Sequence, residues 1–180
     1  MPSTIMTIIF NVDNMLFDAG NRFTSSCNGE CAQAFMVTKL GFSSRNKAKL
    51  VQDEYFEKYH STAKALTVAE EEGRLPKIEG APTLHFHTKG LAEWWATKLD
   101  FQLLGGPNQK LQSDMEECPL QLVAFSNGPL KYVIHVLNEL GLWDLFGDDR
   151  LFAVDDVLPH CKPEKEAFQK IFDKLGIKAK

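Results

Sequence analysis

The residues best suited to chemistry fall at three places in the chain. Asn11 and Asp13 stand two apart just past an apolar run, so both side chains can face one site beyond the end of a strand. Asp13 offers a carboxylate that can take or give a proton, whereas Asn11 offers only an amide. Ser126-Asn127-Gly128 follows a second apolar run and precedes Pro129. There, a hydroxyl and the N–H groups of a helix start can hold phosphate oxygens, although a plain helix N-terminal turn selects the same residue types. Lys162 stands directly before Pro163, and its ammonium can neutralise a phosphate. Lys-Pro alone is a weak signal; its weight comes from the order His160-Cys161-Lys162-Pro163-Glu164.

Other reactive side chains have plainer accounts. Cys27 and Cys31, one helical turn apart, read as small apolar packing residues or as half a metal site without a second pair. His85 and His87 alternate as on an extended segment, yet Phe86, Gly80 and Pro82 fit a loop equally well. Trp94-Trp95 fits one ring in the core and one at its rim, or a ligand stack. Glu70-Glu71-Glu72 reads as a solvated helix end, and Asp155-Asp156 as loop and helix-start residues.

The elements that must position these groups follow from periodicity. Thr4 to Val12 is a continuous apolar, β-branched run of strand length, the pattern of a strand covered on both faces. From Asp18 to about Glu117 the pattern turns helical. Phe23, Cys27, Cys31, Ala34 and Phe35 recur at three- and four-residue steps up to Gly41, and further helices are predicted over Asn46 to His60, Leu66 to Glu72 and Leu91 to Leu99. In the helix over Asn46 to His60, Leu50, Val51 and Phe56 are expected to face inward. Strand signals return at Leu120 to Phe125 and Leu151 to Val154, with helices predicted from Pro129 to Leu140 and from Pro163 onward, the latter carrying Ala167, Phe168, Ile171, Phe172 and Leu175 inward. Strand, helix, strand and helix in this order imply a parallel α/β sheet with a helical insertion.

Composition narrows the classes. The chain has 180 residues, 44% hydrophobic and 24% charged, the usage of one globular domain large enough for a core without staples. A formal charge of -4 without long charge blocks makes nucleic acid a poor partner. Four scattered cysteines suggest a reducing compartment. The run from Ile5 to Phe10 has no basic residue before it, so a signal peptide is not expected. No apolar run approaches the roughly 18 residues of a membrane span, and a soluble, cytoplasmic protein is the expectation.

Taken in order, Asn11-Val12-Asp13-Asn14-Met15, the helical insertion, the strand ending at Ser126, and Lys162-Pro163 resemble the haloacid dehalogenase superfamily of phosphohydrolases, and more narrowly its pyrimidine 5'-nucleotidase-like branch. The resemblance implies a Rossmann-like α/β core over 1–17 and 118–180, with a truncated parallel sheet, and an inserted all-helical cap over 18–117. It makes Asn11 the substituted nucleophile position, Asp13 the acid/base, and Ser126, Asn127 and Lys162 the phosphate-binding residues. It also makes Asn11 and Asp13 vestigial ligands of Mg2+, and Met15 stands where the family has Thr.

Loss of the nucleophile from a concerted set typically costs on the order of 10⁶ in turnover, about 8 kcal/mol of barrier. The resemblance therefore implies a phosphomonoesterase in degenerate or truncated form, with little or no activity. The alternatives are a non-catalytic binder of phosphate or nucleotide, or a fragment of an active magnesium-dependent phosphatase. The implied ligand is a small phosphorylated metabolite such as a nucleoside monophosphate. The family's last acidic motif is expected past Lys180, on a strand that pairs beside the first. Without that strand, the first would be an apolar edge open to self-association.

Overall fold

The structure, a computed structural model, describes residues 6–77, 80 and 85–177. Thr4 and Ile5 of the expected first strand, and Pro82, lie outside the described residues. Three strands, β1 (Thr7–Asn11), β2 (Gln121–Phe125) and β3 (Leu151–Phe152), form an open parallel sheet in the order β1-β2-β3. The register sets Asn11 beside Phe125, and Phe125 beside Phe152. The residues that follow each strand, Val12-Asp13 and Ser126-Asn127, therefore emerge at the same carboxyl edge of the sheet. In open α/β sheets that edge is where ligands bind.

Between β1 and β2, regular structure among the described residues is entirely helical: α1 (Phe23–Ser26), a π-helical turn (Cys27–Cys31), α2 (Ala32–Lys39), α3 (Arg45–Tyr59), α4 (Thr62–Glu71), α5 (Thr88–Lys98), a 3-10 turn (Phe101–Leu104) and α6 (Gln109–Glu116). Ser44 and Ser61 each accept an N–H at the starts of α3 and α4, which fixes where those helices begin. After β2 come α7 (Leu130–Glu139), α8 (Trp143–Phe146), β3, α9 (Val154–Val157) and α10 (Lys165–Lys174).

The buried faces explain the layers. One cluster joins Phe23, Phe35, Met36, Leu66, Leu91 and Trp95 of the insertion to Tyr132, Val133 and Val136 of α7 and to Leu122 and Ala124 of β2. The insertion thus shares a continuous core with the helix that follows β2. The opposite face of the sheet packs Val123, Phe125 and Phe152 against Val157, Ala167 and Ile171. β2 is covered on both sides, as its unbroken apolar sequence requires. β1 pairs with β2 and is the edge of the described sheet.

Several expectations shift. Leu50 is 71% exposed, and α3 instead buries Ala48, Gln52 and Tyr55. Gln52 is polar yet faces inward, where its amide donates to the Asn28 carbonyl, so apolarity alone misjudged the rotation of the helix. α6 and α8 were not foreseen: α6 is mostly polar, with only Met115 buried, and α8 spans four residues. The last helix starts at Lys165, with Glu164 at its N-cap. Lys162 and Pro163 belong to the preceding turn, which the Glu164 N–H closes onto the Cys161 carbonyl at 2.8 Å. No helix among the described residues is long and apolar enough to cross a membrane.

Candidate functional site

A cavity of about 410 Å³ opens at the carboxyl edge of the sheet, of a size suited to a small ligand. Its core side carries Asn11, Asp13, Asn127 and Lys162; its insertion side carries Asn28, Phe56 and Trp95. Four of the five residues singled out from sequence thus line one space. The fifth, Ser126, is fully buried beneath it.

Asp13 is held from two sides. The Ser126 hydroxyl donates to Oδ2 at 2.6 Å, and the Tyr132 hydroxyl donates to Oδ1 at 2.6 Å. Ser126 Oγ in turn accepts the Gly128 N–H at 2.9 Å. The serine hydroxyl is therefore directed into the protein, toward a carboxylate, and not to a ligand in the cavity. Burial, followed by the charge of Asp13, drives the Tyr132 phenol well above its ordinary pKa, so it stays a donor. Cys27, also on the cavity wall, is likewise pushed up by burial and then by Asp13, and remains a thiol.

Asn127 works as a clip. Its Oδ1 accepts the Lys162 N–H at 2.8 Å, while its Nδ2 donates to the Lys162 carbonyl at 3.0 Å and to the His60 carbonyl at 3.4 Å. Its own carbonyl accepts the Ser61 hydroxyl at 2.9 Å. One residue thus ties the turn after β2 to the Lys162 turn and to the start of α4. The amide is fully engaged inside the protein, leaving only the Asn127 backbone to face a ligand.

Lys162 differs from both. Its ammonium donates to Asn11 Oδ1 at 2.5 Å and to the Phe125 carbonyl, and lies 4.7 Å from the centre of the Phe125 ring. All of these partners are neutral. None of the ion pairs among the described residues includes it. Burial lowers its pKa to about 8, with the charge of Asp13 pulling the other way. A half-buried cation on a cavity wall without a paired carboxylate is a charge prepared for an anion from outside.

No family model and no curated protein matches the chain. What the cavity does must therefore follow from its own atoms.

The expected Mg2+ ligands do not fit a cation. Asn11 Oδ1 accepts from the Lys162 ammonium, and Asn11 Nδ2 donates to the Asp13 carbonyl oxygen at 2.7 Å. The two oxygens a metal would share are already joined to donors of the protein, and a positive charge sits against one of them. The described residues whose donor atoms cluster closely enough for an ion are His160, Glu164 and Glu166, a group that includes neither Asn11 nor Asp13. There His160 Nδ1 lies 2.9 Å from Glu164 Oε2, a contact that an ordinary hydrogen bond explains.

The start of α7 also carries a surprise. Its Leu130 N–H donates to Asp155 Oδ2 at 2.7 Å, and Asp155 Oδ1 accepts the Thr88 hydroxyl at 2.7 Å. A carboxylate from the chain itself answers this helix N-terminus and ties it to the first residue of α5. Asp155 lies in the first turn of α9, so the helix-start reading was right and its capping of α7 was missed.

Sequence reasoning also missed Tyr132 and left Trp95 unplaced. The structure shows why a glycine stands at 128: a Cβ there would lie 2.7 Å from Tyr132 Cδ1, where that ring passes the backbone, a reason the sequence did not reveal. Trp95 is buried, edge-on to Tyr132 at 5.1 Å between ring centres, and Trp94 is only partly buried, as the core-and-rim reading anticipated.

Proposed function

We propose that the chain is a degenerate relative of the haloacid dehalogenase-like phosphohydrolases, a pseudoenzyme that binds the phosphoryl group of a small phosphorylated metabolite and does not hydrolyse it. The single observation that carries this reading is Lys162, a half-buried ammonium on a cavity wall whose hydrogen-bond partners are neutral oxygens. A phosphate oxygen placed against it supplies the missing charge.

Turnover is disfavoured by the same geometry. The position that would attack phosphorus is an amide, and both Asp13 carboxylate oxygens are engaged by hydroxyls of the protein. A nucleoside monophosphate is the ligand to try first, with inorganic phosphate as the minimal probe.

The test pairs two experiments on purified protein. Phosphomonoester hydrolysis with magnesium present should not exceed background, whereas calorimetric titration with inorganic phosphate should give saturable heat. Magnesium-dependent turnover that Asp13→Asn abolishes would overturn the pseudoenzyme half. Absence of phosphate binding at millimolar ligand would overturn the binding half.

A further inference from the structure

A divalent cation in a site of this kind would join a side-chain oxygen at position 11 to the main-chain oxygen of residue 13. In this chain the Asn11 amide spans that gap by itself. Its nitrogen donates to the Asp13 carbonyl at 2.7 Å, and its oxygen accepts from the Lys162 ammonium at 2.5 Å. The orientation is forced from both ends. An ammonium can only donate and a carbonyl can only accept, so turning the amide over would set donor against donor and acceptor against acceptor. A cation approaching the Asp13 carbonyl would have to displace the amide N–H while meeting the charge of Lys162. The Asp13 carboxylate is held on both oxygens by the Ser126 and Tyr132 hydroxyls, which fix it toward the protein.

We propose that this cavity binds its oxyanion without any divalent cation, the Lys162 ammonium supplying the positive charge and the Asn11 amide supplying the bridge that a metal would otherwise make. The ligand is then a free tetrahedral oxyanion, a phosphate or phosphomonoester not complexed to magnesium. The choice of ligand rests on the phosphate-binding reading above; the exclusion of the cation does not.

The experiment has two arms on the unmodified protein. In the first, Mn2+ is titrated while electron paramagnetic resonance follows the free ion, with and without inorganic phosphate. In the second, phosphate is titrated calorimetrically in magnesium and again in chelator. The account expects no Mn2+ uptake at the cavity and a phosphate Kd that agrees within about twofold between the two buffers.

Mn2+ uptake that survives Glu166→Gln, which removes the exposed member of the His160–Glu164–Glu166 group, overturns the inference. So does phosphate binding that appears only with magnesium, while phosphate recognition itself stands. Failure to bind phosphate in either buffer overturns the phosphate reading instead, and the Mn2+ arm still decides the metal claim. Asn11→Asp sharpens the result. The new carboxylate becomes the counter-ion of Lys162, so phosphate affinity in chelator should fall about tenfold and recover with magnesium, and Mn2+ uptake should appear. A folded Asn11→Asp protein that still ignores Mn2+ overturns the role given to the amide.

Discussion

Asp13 and Lys162 line one cavity, and the protein satisfies them in opposite ways. The carboxylate receives two short hydroxyl bonds from Ser126 and Tyr132, both rooted in the buried segment after β2. The ammonium receives only neutral oxygens and the face of a ring. One charge is closed off as structure and the other is left open. The difference locates whatever binding the site retains: it belongs to the cation, while the acid that would serve catalysis is tied to buried hydroxyls of the fold.

Removing the cation should have the largest effect. Lys162→Met is expected to weaken phosphate binding on the order of 100-fold, because a charge-assisted contact and a cation on the cavity wall are lost together. Its melting temperature should hold or rise, since a half-buried charge is removed. Unchanged affinity, read by calorimetry, would place the ligand elsewhere.

Asn127→Ala comes next and acts on the scaffold. It deletes the clip between the turn after β2, the Lys162 turn and His60, and should cost about 2–3 kcal/mol of stability in chemical denaturation. A loss within experimental error would mean the clip is not what fixes the lysine.

The third effect is pH. Burial makes the folded protein release the Lys162 proton at about pH 8, below the 10.5 of the free group. The unfolded chain therefore holds more protons across that window, and this group's contribution to stability rises as pH goes from 8 to 10.5. Phosphate affinity runs the other way, falling roughly fivefold from pH 8 to 9 as the charge is lost. A flat affinity profile through this range would contradict the role of the ammonium.

The smallest effect tests the closed charge. Tyr132→Phe removes one of the two donors to Asp13 and should destabilise the fold by about 1 kcal/mol while changing phosphate affinity less than about twofold. A large loss of affinity would show that the carboxylate side also touches the ligand.

How far the sequence foretold this site depends on which bonds are local. Strand runs and the residues just past them placed Asn11, Asp13 and Asn127 at one edge, because register carries strand ends to the same place, whereas Lys162, beyond β3 and α9, was pointed to only by the family resemblance. The helical insertion was legible from its periodicity, though α6, with a single buried residue, gave little apolar signal. What stayed hidden were the long-range polar bonds. Ser126 was expected to face a ligand and instead faces Asp13; Asp155 caps a helix 25 positions earlier in the chain; Tyr132 reaches across 119 positions. Residue type says that such a side chain needs a partner, but only the packed fold says which one. The same holds for Leu50, which is exposed because a buried Gln52 found a carbonyl to bond.

The central claim, that an unpaired Lys162 is what makes this cavity a binding site, is tested most directly by titrating the wild-type protein and Lys162→Met with inorganic phosphate in chelator at neutral pH. The account predicts saturable heat for the wild type and none for the variant at the same concentrations. Equal binding by both proteins, or binding by neither, would contradict it.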